Sequence, residues 1–155
     1  MLAILLAGLL ATMVPSSFAS EGNLTLNSEV IDAPQKGWFS SGEIVSISGV
    51  IHNDGDATSI TVDPSCDEVL RVWSDNQLVF DGTVNCLGQS RGLDIDANSE
   101  TILETLTWDL KNSEGEYVQS GDYIVEYYIA GEELSSTVEI HVQTPIDVPL
   151  SLIHI

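Results

Sequence analysis

Residues 134–142 alternate strictly. Leu134, Ser136, Val138, Ile140 and Val142 fall on one side of an extended chain, and Ser135, Thr137, Glu139 and His141 on the other. A period of two suits a strand with one buried face, whereas an amphipathic helix repeats its apolar residues every three to four positions. The pattern recurs in Tyr123, Val125, Tyr127 and Ile129, with Ile124, Glu126 and Tyr128 between them. Residues 43–52 offer Val45, Ile47 and Ile51 as an inward set, with Val50 out of phase, and residues 101–109 offer Ile102, Leu106 and Trp108. Shorter candidate strands are 24–31, 58–62, 68–73 and 77–81. Helical periodicity is nearly absent beyond the first twenty residues.

Turn-forming clusters separate these runs: Ser40-Ser41-Gly42, Asn53-Asp54-Gly55-Asp56, residues 94–99, residues 112–115 and Ala130-Gly131-Glu132. Short strands at this spacing predict an all-β fold, an antiparallel β-sandwich of about seven to nine strands. A sandwich is favoured over a barrel because one-sided alternation suits two sheets with a shared inner face. Ser120-Gly121-Asp122-Tyr123 opens the penultimate strand with a Tyr placed as in a tyrosine corner. Trp73, Trp108, Tyr123 and Tyr127 are expected in the core. Trp38-Phe39 is expected to pack at an edge, the other reading being an exposed interaction patch.

The chain divides into four segments. Residues 1–19 combine a short apolar run with Ser17 and Ala19 at the −3 and −1 places of a signal-peptidase site, which predicts cleavage after Ala19. That run is shorter than the roughly 20 residues that span a bilayer. Residues 20–143 form the expected domain, and Thr144-Pro145 and Val148-Pro149 begin an expected linker over 144–149. Leu150-Ser151-Leu152-Ile153-His154-Ile155 breaks with the preceding style and resembles the translation of a transposase-type sequencing adapter. It is expected to be non-native, with the natural chain continuing past Pro149. The expected location is extracytoplasmic, secreted or at the cell surface.

Cys66 and Cys86 are the only cysteines, and export favours a disulfide between them. Residues 68–73 and 77–81 flank Ser74-Asp75-Asn76 and read as a hairpin. Facing residues across that turn have numbers summing to about 151 or 152, a condition that Cys66 and Cys86 meet. A bridge there would close the open end of the hairpin and stabilise by about 3 kcal/mol in the chain-entropy view.

With 24 Asp and Glu against four Lys and Arg, the formal charge is −20. Such a chain repels nucleic acid and anionic membranes, and would attract basic partners or divalent cations; the other reading is a solvated acidic surface suited to salty surroundings. Neither nucleic-acid binding nor membrane insertion of the mature domain is expected. No catalytic residue is assigned, because neither His52 nor His141 sits in a motif with a nucleophile. No metal site or cofactor is assigned either. Asp94-Ile95-Asp96-Ala97-Asn98 imitates the start of a calcium loop, but Ser99 stands where that loop needs Gly and Thr105 where it needs Glu. Calcium between sandwich loops stays open as an alternative. Asn23-Leu24-Thr25 is a glycosylation sequon.

Residues 66–129 resemble the BsuPI-type intracellular proteinase inhibitor domain. The matching pieces are Leu70-Arg71-Val72-Trp73-Ser74, Leu78-Val79-Phe80-Asp81-Gly82, Cys86-Leu87-Gly88-Gln89-Ser90, Leu106-Thr107-Trp108-Asp109 and Gly121-Asp122-Tyr123. Several of these pieces are also similar to immunoglobulin-like modules of flagellar hook-capping and sorting-domain proteins. The resemblance implies an immunoglobulin-like sandwich and a non-enzymatic binding module, with a protein partner and a protease as the specific expectation. The expected contacts are Asp81, Gly82, Leu87, Gly88, Gln89 and Arg91 within residues 81–92, and secondarily Asp75 and Asn76. The alternative is a structural or adhesive immunoglobulin-like module of a larger cell-surface protein.

Overall fold

The computed structural model describes residues 23–83 and 87–144. The expected signal peptide, the tail, all of the linker except Thr144, and Cys86 lie outside the described residues. Eleven strands run in chain order. They are β1 (Leu24–Ile31), β2 (Phe39–Ser40), β3 (Val45–Asn53), β4 (Thr58–Val62), β5 (Glu68–Ser74) and β6 (Gln77–Asp81), then β7 (Arg91–Ile95), β8 (Ser99–Ile102), β9 (Leu106–Trp108), β10 (Gly121–Ile129) and β11 (Leu134–Gln143). A single 3-10 turn, Ala130–Glu132, joins the last two.

The fold is an all-β sandwich. In one sheet β3 pairs antiparallel with β1 on one edge and with both β8 and β9 on the other. The second sheet has the order β2-β11-β10-β5-β6, antiparallel except for the short parallel pairing of β2 with β11. A separate ribbon pairs β4 with β7. The inner faces carry the predicted alternation: Val45, Ile47 and Ile51 from β3 meet Tyr123, Val125, Tyr127 and Ile129 from β10, together with Val72 and Val142. Phe39 is buried beside β11, which makes the Trp38-Phe39 pair edge packing.

The hairpin forms in the predicted register. Arg71 faces Asp81 and Val72 faces Phe80, and one irregularity then moves the pairing to Trp73–Leu78 and Ser74–Gln77. Asp75 (φ 48°) and Asn76 (φ 62°) are both left-handed, as a two-residue turn of type I′ requires. The tyrosine corner also forms, with the Tyr123 hydroxyl donating to the Gln119 carbonyl at 2.7 Å. Asn53 is buried at the end of β3. Its amide donates to the carbonyls of Asp56 and Asp96, and its oxygen accepts from Gly55 N, which ties two turns together.

Two core expectations are corrected. The run 101–109 is two strands. β8 pairs with β3 in a register that sets Val50 against Ile102, and β9 pairs one residue out of step, setting Ile47 against Leu106. An extra residue within 103–105 absorbs the step, and a one-residue shift exchanges the faces of a strand. Leu103 and Trp108 are therefore buried while Ile102 is 80% exposed. Trp73, expected in the core, lies half-buried on the outer face of the second sheet. There its indole N–H donates to Glu126 at 3.0 Å, beside an Arg71 guanidinium that pairs in bidentate fashion with Glu126 and stacks on Tyr128.

Leu103→Ala is expected to cost about 2–5 kcal/mol of unfolding free energy, against less than about 0.5 kcal/mol for Ile102→Ala. Urea unfolding of both variants checks this, and equal costs would refute the face exchange.

Candidate functional site

The site is built where the turn between β4 and β5 meets the segment leading into β7. The turn is fixed from within: the amides of Cys66 and Asp67 donate to the Asp63 carbonyl at 3.0 and 2.7 Å, and Asp63 N donates to the Asp67 carboxylate at 2.7 Å. Ala130 N donates to the Asp67 carbonyl at 2.9 Å, which fastens the turn to the end of β10.

This fixed turn holds the neighbouring segment by its backbone. The Asp63 carboxylate accepts from the amide and hydroxyl of Ser65 on one oxygen and from Gln89 N at 3.0 Å on the other. The Ser65 oxygen in turn accepts from Leu87 N at 2.9 Å. Asp63 is buried, and hydrogen bonds from Ser65 above all, then from the amides of Gln89 and Gly88, hold its pKa below the ordinary carboxylate value. The side chains of this segment stay outside, Leu87 being 67% exposed.

Glu68, the first residue of β5, lies beside this turn with its side chain only 2% exposed. Its Oε1 has no hydrogen-bond partner among the described residues. Burial pushes its pKa up, against the opposing pull of the Arg91 charge and with smaller upward contributions from Glu104 and Asp67. Arg91 is half-exposed and places its guanidinium 3.9 Å from Glu68 Oε1 and 3.6 Å from Glu104 Oε1. Glu68 also lines a cavity of about 280 Å³ walled by Val69, Leu70, Phe80 and Leu106, with Gly82, Thr105 and Thr107. Gly82 is needed there, because a Cβ would come within 2.7 Å of the Leu70 carbonyl, the acceptor of its own amide.

The expected contact residues do not all come together. Asp81, Gly82, Leu87, Gly88, Gln89 and Arg91 belong to this end of the molecule. Asp75 and Asn76 sit at the opposite end of β5, about 20 Å away at the rise of a strand. Arg91 opens β7 opposite Val62, so the segment is shorter at its C-terminal side than the expected 81–92. Asp63, Glu68 and Glu104 were not singled out from the sequence. Nothing in the sequence pattern marks Asp63 and Glu68, the two carboxylates buried among the described residues. Among the described residues, no group of three or more His, Cys, Asp or Glu side chains is placed to hold a metal ion, and no helix is long and apolar enough to cross a membrane.

No protein-family model and no curated protein matches the chain. Similar solved structures include a CARDB domain from Pyrococcus furiosus, in complex with di-metal ions, at 14% identity over 80% of this chain and 96% of that one, with a TM-score of 0.43. A β-glucosidase from intestinal bacteria, involved in saponin metabolism, is similar at 8% identity and TM-score 0.47, over 79% of this chain and 16% of the enzyme. The β-glucosidase of Listeria innocua in complex with glucose is similar at 19% identity and TM-score 0.40, again over 79% of this chain and 16% of the enzyme.

The Asp63 anchor can be read by pH. A carboxylate whose folded pKa is lowered contributes stability above its unfolded pKa and loses it as the pH falls through the folded one. The Gln89 amide resonance is therefore expected to titrate with a midpoint below 3.8, the ordinary Asp value. In Asp63→Ala its hydrogen exchange is expected to rise at least about tenfold while β3 and β10 amides are unchanged. A midpoint at or above 3.8, or unchanged exchange in the variant, would show that Asp63 does not hold the segment.

Proposed function

We propose that this chain is an extracytoplasmic, non-enzymatic binding module that engages a protein partner through residues 87–91 and the adjoining Asp81-Gly82. A protease is the partner that the inhibitor-type resemblance implies. One observation carries the reading: the segment is held by its own backbone amides, on Ser65 and Asp63, while Leu87 projects into solvent. A loop already ordered loses little conformational freedom on docking, so more of its contact energy appears as affinity.

The Cys66–Cys86 disulfide belongs to the same proposal. Cys66 is buried and is not a free thiol. Ser65, its neighbour, hydrogen-bonds to Leu87, the neighbour of Cys86. In the denatured, unreduced protein both cysteines are expected to resist thiol labelling, and reduction is expected to lower stability by about 3 kcal/mol. Labelling of both cysteines would refute the bridge.

The partner class is tested with the purified domain against serine, cysteine and metalloproteases. Inhibition of at least one is expected, weakened tenfold or more by Leu87→Asp with an unchanged thermal midpoint. Absence of inhibition across all three classes would remove the protease from the proposal and favour the structural or adhesive module.

A further inference from the structure

We propose that Glu68 is the receptor for a cationic N–H donor, the side chain of a lysine or arginine on the partner, and that Arg91 is the internal cation this group displaces. The inference rests on the reading that a protein partner docks at this end of the sandwich.

A buried acceptor left without its hydrogen bond costs about 1–3 kcal/mol, and more when charged, so such groups are rare in folded proteins. Among the described residues Glu68 Oε1 is one, and Glu68 is a lining residue of the cavity. The walls suit a basic side chain. Val69, Leu70, Phe80 and Leu106 can cover a methylene stem, and Thr105 and Thr107 complete the lining. Arg91 does not already fill this role. Its guanidinium stands 3.9 Å from Oε1, beyond hydrogen-bond distance, and divides its charge between Glu68 and Glu104. Being half-exposed, it can swing into solvent at small cost.

The chemistry of the ligand follows from what surrounds the carboxylate. A calcium site gathers about six to eight oxygen ligands, and no group of three or more His, Cys, Asp or Glu side chains is placed to hold a metal ion among the described residues. A charged N–H donor needs only one well-placed carboxylate, where the hydrogen bond is charge-assisted. The formal charge of −20 draws basic partners towards the domain from a distance.

The test uses butylammonium and butylguanidinium as probes, followed by NMR on the labelled full chain, with tetramethylammonium as a cation of equal charge and no N–H donor. At least one of the first two is expected to give saturable amide shifts centred on Val69, Leu70, Thr105 and Thr107, where tetramethylammonium gives none. Glu68→Gln is expected to abolish them, and Glu139→Gln, on the outer face, to leave them unchanged. Arg91→Ala, which removes the competing cation, is expected to tighten binding at least threefold, and it carries the test alone if Glu68→Gln does not fold. Equal shifts from tetramethylammonium, persistence in Glu68→Gln, or no localised shift in both the parent and Arg91→Ala would overturn the assignment. Probe binding without protease inhibition would leave the receptor standing and remove the protease. Protease inhibition unaffected by Glu68→Gln would do the reverse.

Discussion

Everything in this domain depends on burying one face of β3 against one face of β10. Val45, Ile47 and Ile51 are fully enclosed, as are Val125, Tyr127 and Ile129 opposite them. Such burial of alternate residues fixes strand parity, since a slip by one residue would turn every apolar side chain to solvent. The edge formed by β8 and β9 cannot satisfy that parity along its whole length, and the extra residue within 103–105 is the consequence. Tyr127 reaches across from the second sheet to cap this irregularity. Its ring passes over Gly49, where a Cβ would come within 3.0 Å of it, and its hydroxyl donates to the Glu104 carbonyl at 2.9 Å. Leu103 N donates to the Gly49 carbonyl at 2.9 Å, so the step is satisfied from both sheets. The packing constraint thereby delivers Glu104 to the position from which its carboxylate reaches Arg91.

The same economy governs the few cations. Lys36 pairs with Glu43, Arg71 with Glu126 and Lys111 with Asp109, each at or near the surface. Exposed pairs of this kind contribute little stability individually. Arg71 differs because its guanidinium also stacks 3.7 Å over Tyr128, while Trp73 donates to the same Glu126. That cluster closes on itself, with both Glu126 oxygens occupied. Arg91 is the contrast, a cation shared loosely between two carboxylates, one of them buried with an oxygen unsatisfied. A structural cluster and a receptive one are thus distinguished by hydrogen-bond completeness, not by charge.

How much of this was legible in the sequence follows from the range of the interactions. The hairpin register, its type I′ turn and the tyrosine corner depend on residues close in sequence, and local patterning exposes them. β7 pairs with β4, almost thirty residues earlier, and no local signal announces that partnership. Ile102 and Leu103 are neighbours of equal apolarity, so only the packed sheet decides which one points inward. Trp73 sits in a strand, which by itself does not say which face it takes. Its outward position follows instead from the parity set by Val72, which is fully buried beside it. Glu68 begins a strand whose next two residues are also buried, so the run does not alternate where the informative carboxylate lies.

The candidate site separates two tasks that loops commonly mix. The path of residues 87–89 is set by amides on fixed acceptors, Ser65 and Asp63, and so depends little on which side chains the segment carries. In the proposed function, recognition falls to those side chains and to the Glu68 carboxylate. Such an arrangement allows the exposed residues to change without loss of the fold, because the anchoring groups sit in the turn between β4 and β5 and are themselves tied to β10 through Asp67. The burial of Asp63, with its oxygens fully engaged, and the burial of Glu68, with one oxygen idle, then have different physical meanings. The first holds the backbone in place, and the second keeps an acceptor ready for a donor from outside.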